Sequence, residues 1–359
     1  MKILHIINTL NIGGAEKLLV DLALKFNEQG QSVDILLLNG KDSFLLRRLE
    51  EANIKVMTLG KKTNIYNPLL IFRLIPYLKK YDIIHAHLFP VQYWVAFASL
   101  FISKKTILLT TEHNTYNRRR AIKPLRLVDK FVYKRYAKII AISGQTQEAL
   151  QAYLPHLDKL TIIENGIDTA AYRVVAEEKS AVKEHFILIQ IAGFRTQKDQ
   201  QTVVRALQYL PEDIHLWLVG TGELQAEVLQ VVEDLNLTTR VKFLGVRDDI
   251  PALLHQSDIV VMSSHWEGFG LAALEGMAAG KPVIASDVPG LREVVKDAGF
   301  LFELHDEKAL AEAITTLYHD KAIYQQTATA CSQRALAYDI SKMAERYLSL
   351  YQNLLDEEN

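Results

Sequence analysis

Short β-branched runs alternate with longer stretches at helical spacing, and the alternation happens twice. "KILHIIN" precedes a helix predicted over Ala15 to Gln29, "VDILLLN" one over Ser43 to Ala52, and "DIIHAH" one over Val91 to Ile102. Such a pattern specifies βαβ units and therefore a parallel sheet with helices on both faces. Between Arg173 and Glu184 the chain becomes charged and loses strand character, in "RVVAEEKSAVKEH". "FILIQIAGF" then restarts the pattern, followed by a helix at Gln200 to Tyr209, "IHLWLVG", a helix at Leu224 to Leu235, "VKFLG", "DIVVMSS" and "PVIAS". The expected class is α/β with two Rossmann-like, doubly wound parallel-sheet domains facing across a cleft. Residues 1–168 form the first, 169–184 a linker and 185–338 the second. A terminal helix lies in 339–359, and packing back on the first domain is one placement for it.

Two domains also suit the length, since 359 residues exceed one ordinary core. A composition 49% hydrophobic and 23% charged is that of a globular protein that buries substantial cores. A net charge of -1 argues against nucleic acid as a partner. Cys331 is the only cysteine, which excludes an internal disulfide and a thiolate zinc site and fits a reducing compartment, the cytoplasm. The opening "MKILHIINTL" reads as a first strand rather than a signal peptide. The longest apolar stretch, Val91 to Ile102, is below the about 20 residues a membrane-spanning helix needs.

Ligands of doubly wound sheets bind at the carboxyl ends of the strands, so the loops there carry the functional information. In "HWEGFGLAALEGMAAGKPVIASDVPG", Gly268, Phe269 and Gly270 make a strand-to-helix turn between Glu267 and Glu275. The unpaired amides of a helix start can hold a phosphate, glycines let a ligand approach, and the two carboxylates can accept hydrogen bonds from sugar hydroxyls. In "IAGFRTQKDQQ", Arg195 and Lys198 could neutralise a diphosphate. Gly13 and Gly14 open the helix of "NIGGAEKLLVDLALKF", without the G-x-G-x-x-G spacing of a nicotinamide-binding turn, and Glu16 supports the first turn of that helix. His85 and His87 share a strand face and could chelate a metal, but no third ligand is in evidence. Gly222 and Glu223, in "VGTGEL", border the expected nucleotide cleft.

The segment from Ser257 to Val295 resembles the E-x7-E region of the retaining GT-B glycosyltransferases of family 4, the group 1 glycosyl transferases. That resemblance implies the GT-B fold, with an acceptor-side first domain and a nucleotide-sugar-binding second domain. It assigns Glu275 to the nucleotide ribose, Glu267 to a hydroxyl of the donor sugar, and the amides of Phe269, Gly270 and Leu271 to the donor's phosphate and sugar. Backbone groups of Val246 and Arg247, in "KFLGVRDDI", would meet the base, and the Gly13–Gly14 turn would lie against the diphosphate. His113, in "TTEHNTYNRRR", occupies the place of a family histidine near the donor sugar. The family has an arginine directly after the strand's glycine and a lysine five residues later. Here Lys198 fits, whereas counting back five reaches Gly193 and the nearby arginine is Arg195.

The resemblance implies transfer of a sugar, with retention, from a nucleotide-diphosphate donor to a saccharide or lipid-linked acceptor in surface polysaccharide or glycolipid synthesis. A UDP-sugar is the favoured donor. Glu267, Lys198 and His113 are the expected catalytic residues, and no cofactor or metal is expected because no Asp-x-Asp motif is present. The basic stretch 118–138 is either a solvated face or a docking segment for an anionic membrane surface, peripheral at its inner face. A nucleotide-sugar epimerase or phosphorylase on the same frame, and a non-catalytic subunit, remain alternatives at this point.

Overall fold

The computed structural model describes residues 1–11, 13–102, 106–115, 117–173 and 184–358. The chain divides into two compact units, Met1–Gly166 joined by the terminal residues from Ile340 onward, and Ile167–Asp339. Each is a parallel α/β sheet, as the alternation predicts.

The strands of the first unit are β1 (Ile3–Ile7), β2 (Val33–Leu37), β3 (Val56–Thr58), β4 (Ile83–His87), β5 (Ile107–Glu112), β6 (Lys138–Ala141) and β7 (Leu160–Ile162). They lie in the order β3-β2-β1-β4-β5-β6-β7. The helices between them are α1 (Gly14–Glu28), α2 (Phe44–Glu51), α3 (Leu70–Leu78), α4 (Val91–Ala98), α5 (Leu125–Lys134) and α6 (Gly144–Tyr153). α1 shows why the pattern reads as it does. Its Leu18, Leu19, Leu22, Ala23 and Phe26 form one apolar stripe, and every one is buried in the core under the sheet.

The second unit begins with α7 (Thr169–Arg173), inside the segment expected as linker, and the rest of that linker, 174–183, lies outside the described residues. Then come β8 (Phe186–Ile191), α8 (Gln200–Ala206), β9 (Ile214–Val219), α9 (Gln225–Asp234), β10 (Val241–Gly245), α10 (Ile250–Gln256), β11 (Ile259–Met262) and α11 (Leu271–Ala278). The unit closes with β12 (Val283–Ser286), α12 (Arg292–Val295), β13 (Phe300–Phe302), α13 (Glu307–His319) and α14 (Lys321–Ala337). Its strand order is β10-β9-β8-β11-β12-β13.

The last helix, α15 (Ile340–Glu358), belongs to the first unit. Met343, Ala344, Tyr347, Tyr351 and Leu354 share one core with α1 and β1. Sequence order reverses beside β1 in one sheet and beside β8 in the other, so the loops after β1 and β4, and those after β8 and β11, diverge and open a crevice at the strand ends.

Candidate functional site

In the second unit the loop after β11 and the loop after β8 meet over that crevice. Gly270 precedes α11 with φ +87, a conformation that favours glycine, and a Cβ there would come within 2.8 Å of Leu291. The tight turn aims the first amides of α11 outward from the strand ends and leaves Glu267 just before it. Lys198 and Glu267 form an ion pair through Nζ and Oε1, with the lysine 21% and the glutamate 9% exposed at the side chain. Ser264 donates its hydroxyl to Glu267 Oε1 at 2.7 Å. Gln197 ties the loops together by donating Nε2 to the Trp266 carbonyl at 2.7 Å, while the His265 amide donates to the Gln197 carbonyl at 2.8 Å. A carboxylate held by a lysine and a serine can still accept from a sugar hydroxyl with its remaining lone pairs.

The lysine loop is anchored from beneath. Ser263 donates to the Asp199 carbonyl at 2.7 Å, and Gln190, inside β8, donates Nε2 to the Lys198 carbonyl at 3.0 Å and to Ser263 Oγ at 3.0 Å. Ser263, Ser264 and Gln190 were missed in the sequence. Their one trace is a polar residue at the end of, or inside, an otherwise apolar strand. Gly290, with φ +90, packs flat against the Glu267 carbonyl where a side chain would collide.

The other candidates are arranged around these. Glu275, 7% exposed, lies in the second turn of α11. The Phe269 ring turns inward onto Tyr338, with centroids 5.4 Å apart, so what this residue offers a ligand is its backbone. Arg195 is exposed at the head of the β8 loop. Val246 is exposed just past β10, and Arg247 beside it pairs with Asp249 at 2.7 Å. Gly222 presses on the backbone of Phe194, where any side chain would clash. That close approach accounts for the "VGTGEL" glycine.

In the first unit Gly13 caps α1 and Gly14 begins it, and the Glu16 side chain folds back over Gly13, supporting the first turn as expected. His113 follows β5 and meets His87 at 3.1 Å between its Nε2 and His87 Nδ1. His87 Nε2 in turn meets His5 Nδ1 at 2.9 Å. The expectation that His85 and His87 lack a third partner is corrected here: β1 and β4 pair with His5 opposite His85, and the three rings stack. Their nitrogens are already used, however. His85 bonds Tyr351 Oη at 2.6 Å and Thr111 Oγ1 at 2.7 Å, which leaves His5 Nε2 as the buried nitrogen of this group without a hydrogen bond. Burial holds all four imidazoles neutral, pushing His113 down to about 4, His5 to about 3, and His85 and His87 well below the ordinary histidine value. His5, His87 and His113 form a neutral hydrogen-bonded chain that ends on His113, and His85 stacks on it.

The basic stretch is only partly a surface. Arg119 is buried against Asp129 at 3.3 Å and lies over the Phe89 and Tyr93 rings, and Arg120 pairs with Glu112 at 3.0 Å. These two arginines are structural, which removes them from the expected docking face.

Residues 175–336 match the family described as "Glycosyl transferases group 1", and residues 12–171 match "Glycosyltransferase Family 4". The chain belongs to the family 4, group 1 glycosyltransferases. It is 29% identical to the N-acetyl-alpha-D-glucosaminyl L-malate synthase of Bacillus anthracis over 77% of this chain and 76% of that one. It is 27% identical to the N-acetylgalactosamine-N,N'-diacetylbacillosaminyl-diphospho-undecaprenol 4-alpha-N-acetylgalactosaminyltransferase of Campylobacter jejuni over 94% and 96%. Among solved structures, Anabaena Alr3699/HepE in complex with UDP-glucose superposes with a TM-score of 0.86 at 25% identity, covering 98% of this chain and 100% of the other. The epimerase, phosphorylase and non-catalytic alternatives fall away with this family membership.

Proposed function

We propose that this glycosyltransferase moves a sugar from a UDP-sugar to a saccharide or lipid-linked acceptor with retention of anomeric configuration, in surface polysaccharide or glycolipid synthesis. The observation that carries the reading is the Lys198–Glu267 pair, held by Ser264 beside the glycine turn that opens α11. Leaving-group departure builds negative charge on the diphosphate, and a preorganised ammonium with helix-start amides meets that charge without reorganisation. Glu267 orients the donor sugar, Glu275 holds the ribose, and the backbone of Val246 and Arg247 meets the base. Arg195 adds charge at the diphosphate. In the first unit, His113 offers a neutral imidazole to a sugar hydroxyl, and the Gly13–Gly14 amides serve the diphosphate.

The departing phosphate accepts the acceptor's proton on the same face of the sugar, so no side-chain nucleophile is required. Metal is not required at the diphosphate, and turnover is expected to survive chelator. The UDP-glucose bound to Alr3699/HepE supports the choice of uridine, and the name of the Campylobacter relative supports an acceptor linked to diphospho-undecaprenol. A panel of UDP-sugars is offered with diphospho-undecaprenol-linked saccharides, and the product's anomeric coupling is read by NMR. An α-glycoside from an α-linked donor is expected. A β-glycoside, or turnover abolished by chelator, contradicts the reading.

For the membrane surface, support comes from α5. Leu127 and Phe131 are exposed, and Lys123, Arg126, Lys130 and Lys134 are exposed along the same stretch. Each basic residue near an anionic surface contributes about 1 kcal/mol. Co-sedimentation with liposomes is expected to rise with anionic lipid content, and indifference to it would sink this part of the proposal.

A further inference from the structure

Three groups of the second unit converge without a part in donor binding: Asp199 after β8, His265 after β11 and His305 after β13. His265 Nε2 lies 3.2 Å and His305 Nδ1 3.3 Å from one oxygen, Asp199 Oδ2. The imidazole centroids are 4.7 Å apart and the rings are inclined at 67°. His265 Nε2 is buried yet makes no hydrogen bond, so the ring comes close to the carboxylate without donating to it. That is the disposition of ligands that share a third atom. A tetrahedral zinc-class ion with ligand bonds of about 2.0–2.2 Å sets ligand-to-ligand edges of about 3.3 Å, which both separations match.

Asp199 has φ +43 and His305 φ +65, a left-handed backbone that aspartate and histidine adopt more readily than most side chains, so the turns present both toward His265 without special strain. Thr202 donates its hydroxyl to Asp199 Oδ2 at 2.7 Å, the kind of supporting hydrogen bond that orients a ligand carboxylate. In the histidine cluster of the first unit, where three imidazoles also converge, His85 and His87 spend both nitrogens on Tyr351, Thr111, His5 and His113, and His5 Nε2 is left without a hydrogen bond.

We propose that Asp199, His265 and His305 bind one divalent transition-metal ion of the zinc class. The ion ties together three loops that leave three different strands. Asp199 follows Lys198 directly and His265 stands two residues before Glu267, so the ion braces both donor-site side chains from behind. It is not a reactant, and its removal leaves turnover at the metal-free diphosphate intact.

The test uses the full chain stripped of metal and titrated with Zn²⁺ against a chromophoric chelator, and with Co²⁺ read by its visible absorption. One ion per chain is expected, with a rise in the unfolding temperature. Affinity is expected to fall at least tenfold in Asp199→Asn and in His305→Gly. Both substitutions suit a left-handed backbone, and asparagine still caps α8, so metal-free unfolding of each variant serves as the check on folding. No stoichiometric binding, or binding undiminished in both variants, would overturn the proposal.

Discussion

Lys198 and Glu267 are each other's counter-charge, so their separate contributions can be told apart only by changing both. Lys198→Met removes the ammonium that faces the diphosphate and is expected to lower kcat by about 10² to 10³. It also leaves a buried carboxylate without this ion pair, which costs about 1–3 kcal/mol of stability. Adding Glu267→Gln to that variant should restore most of the stability and none of the activity, read by denaturant unfolding and product formation. Stability that does not recover would mean the pair does not hold the loop. The side chains that carry charge were legible in the sequence because a glutamate or lysine at a strand end has few structural uses. Ser263, Ser264 and Gln190, which hold those loops, were not, because nothing in the spacing of a strand-end serine or a strand glutamine tells whether it reaches its own loop, as Ser264 does to Glu267, or one distant in sequence, as Ser263 does to Asp199. His5 was hidden for a similar reason: only the β1–β4 register brings it beside His85.

At the scale of elements, the strands and helices followed from periodicity, and the turns between them from glycine. Gly290 shows what the pattern could not supply. It follows β12, yet its bare Cα lets the chain close against the Glu267 carbonyl. Gly290→Ala combines a left-handed φ with a backbone collision and is expected to cost about 1–3 kcal/mol and to weaken donor binding, because the carbonyl that must move belongs to Glu267. Unchanged nucleotide affinity in a destabilised variant would separate packing from the site. Within the segment expected as linker, Thr169–Arg173 form a helix that packs on α11, and five residues are too few to show a helical period in the sequence.

Across the whole molecule, the first unit stores a stack of neutral imidazoles, and that sets a pH dependence. His113 and His5 have folded values of about 4 and about 3, below the unfolded 6.5, so the unfolded chain binds protons that the folded one refuses. Their contribution is complete above pH 6.5 and is lost as pH falls from 6.5 toward 4, at about 1.4 kcal/mol per pH unit for each group. Denaturant midpoints should drop between pH 7 and pH 5, and His113→Asn should flatten that slope. A wild-type midpoint unchanged across this range would contradict the neutral chain. The attachment of α15 to the first unit lay beyond the sequence, since its apolar face at Tyr347 and Tyr351 would suit either core.

If the loops around α11 bind a uridine diphosphate donor, thermal unfolding with UDP, GDP, ADP or buffer alone will register it. Selective stabilisation by UDP is predicted, amounting to about 2.7 kcal/mol at 100 times the dissociation constant and lost in Glu275→Ala. No shift with any nucleotide, or a shift that Glu275→Ala leaves intact, would contradict a donor site there.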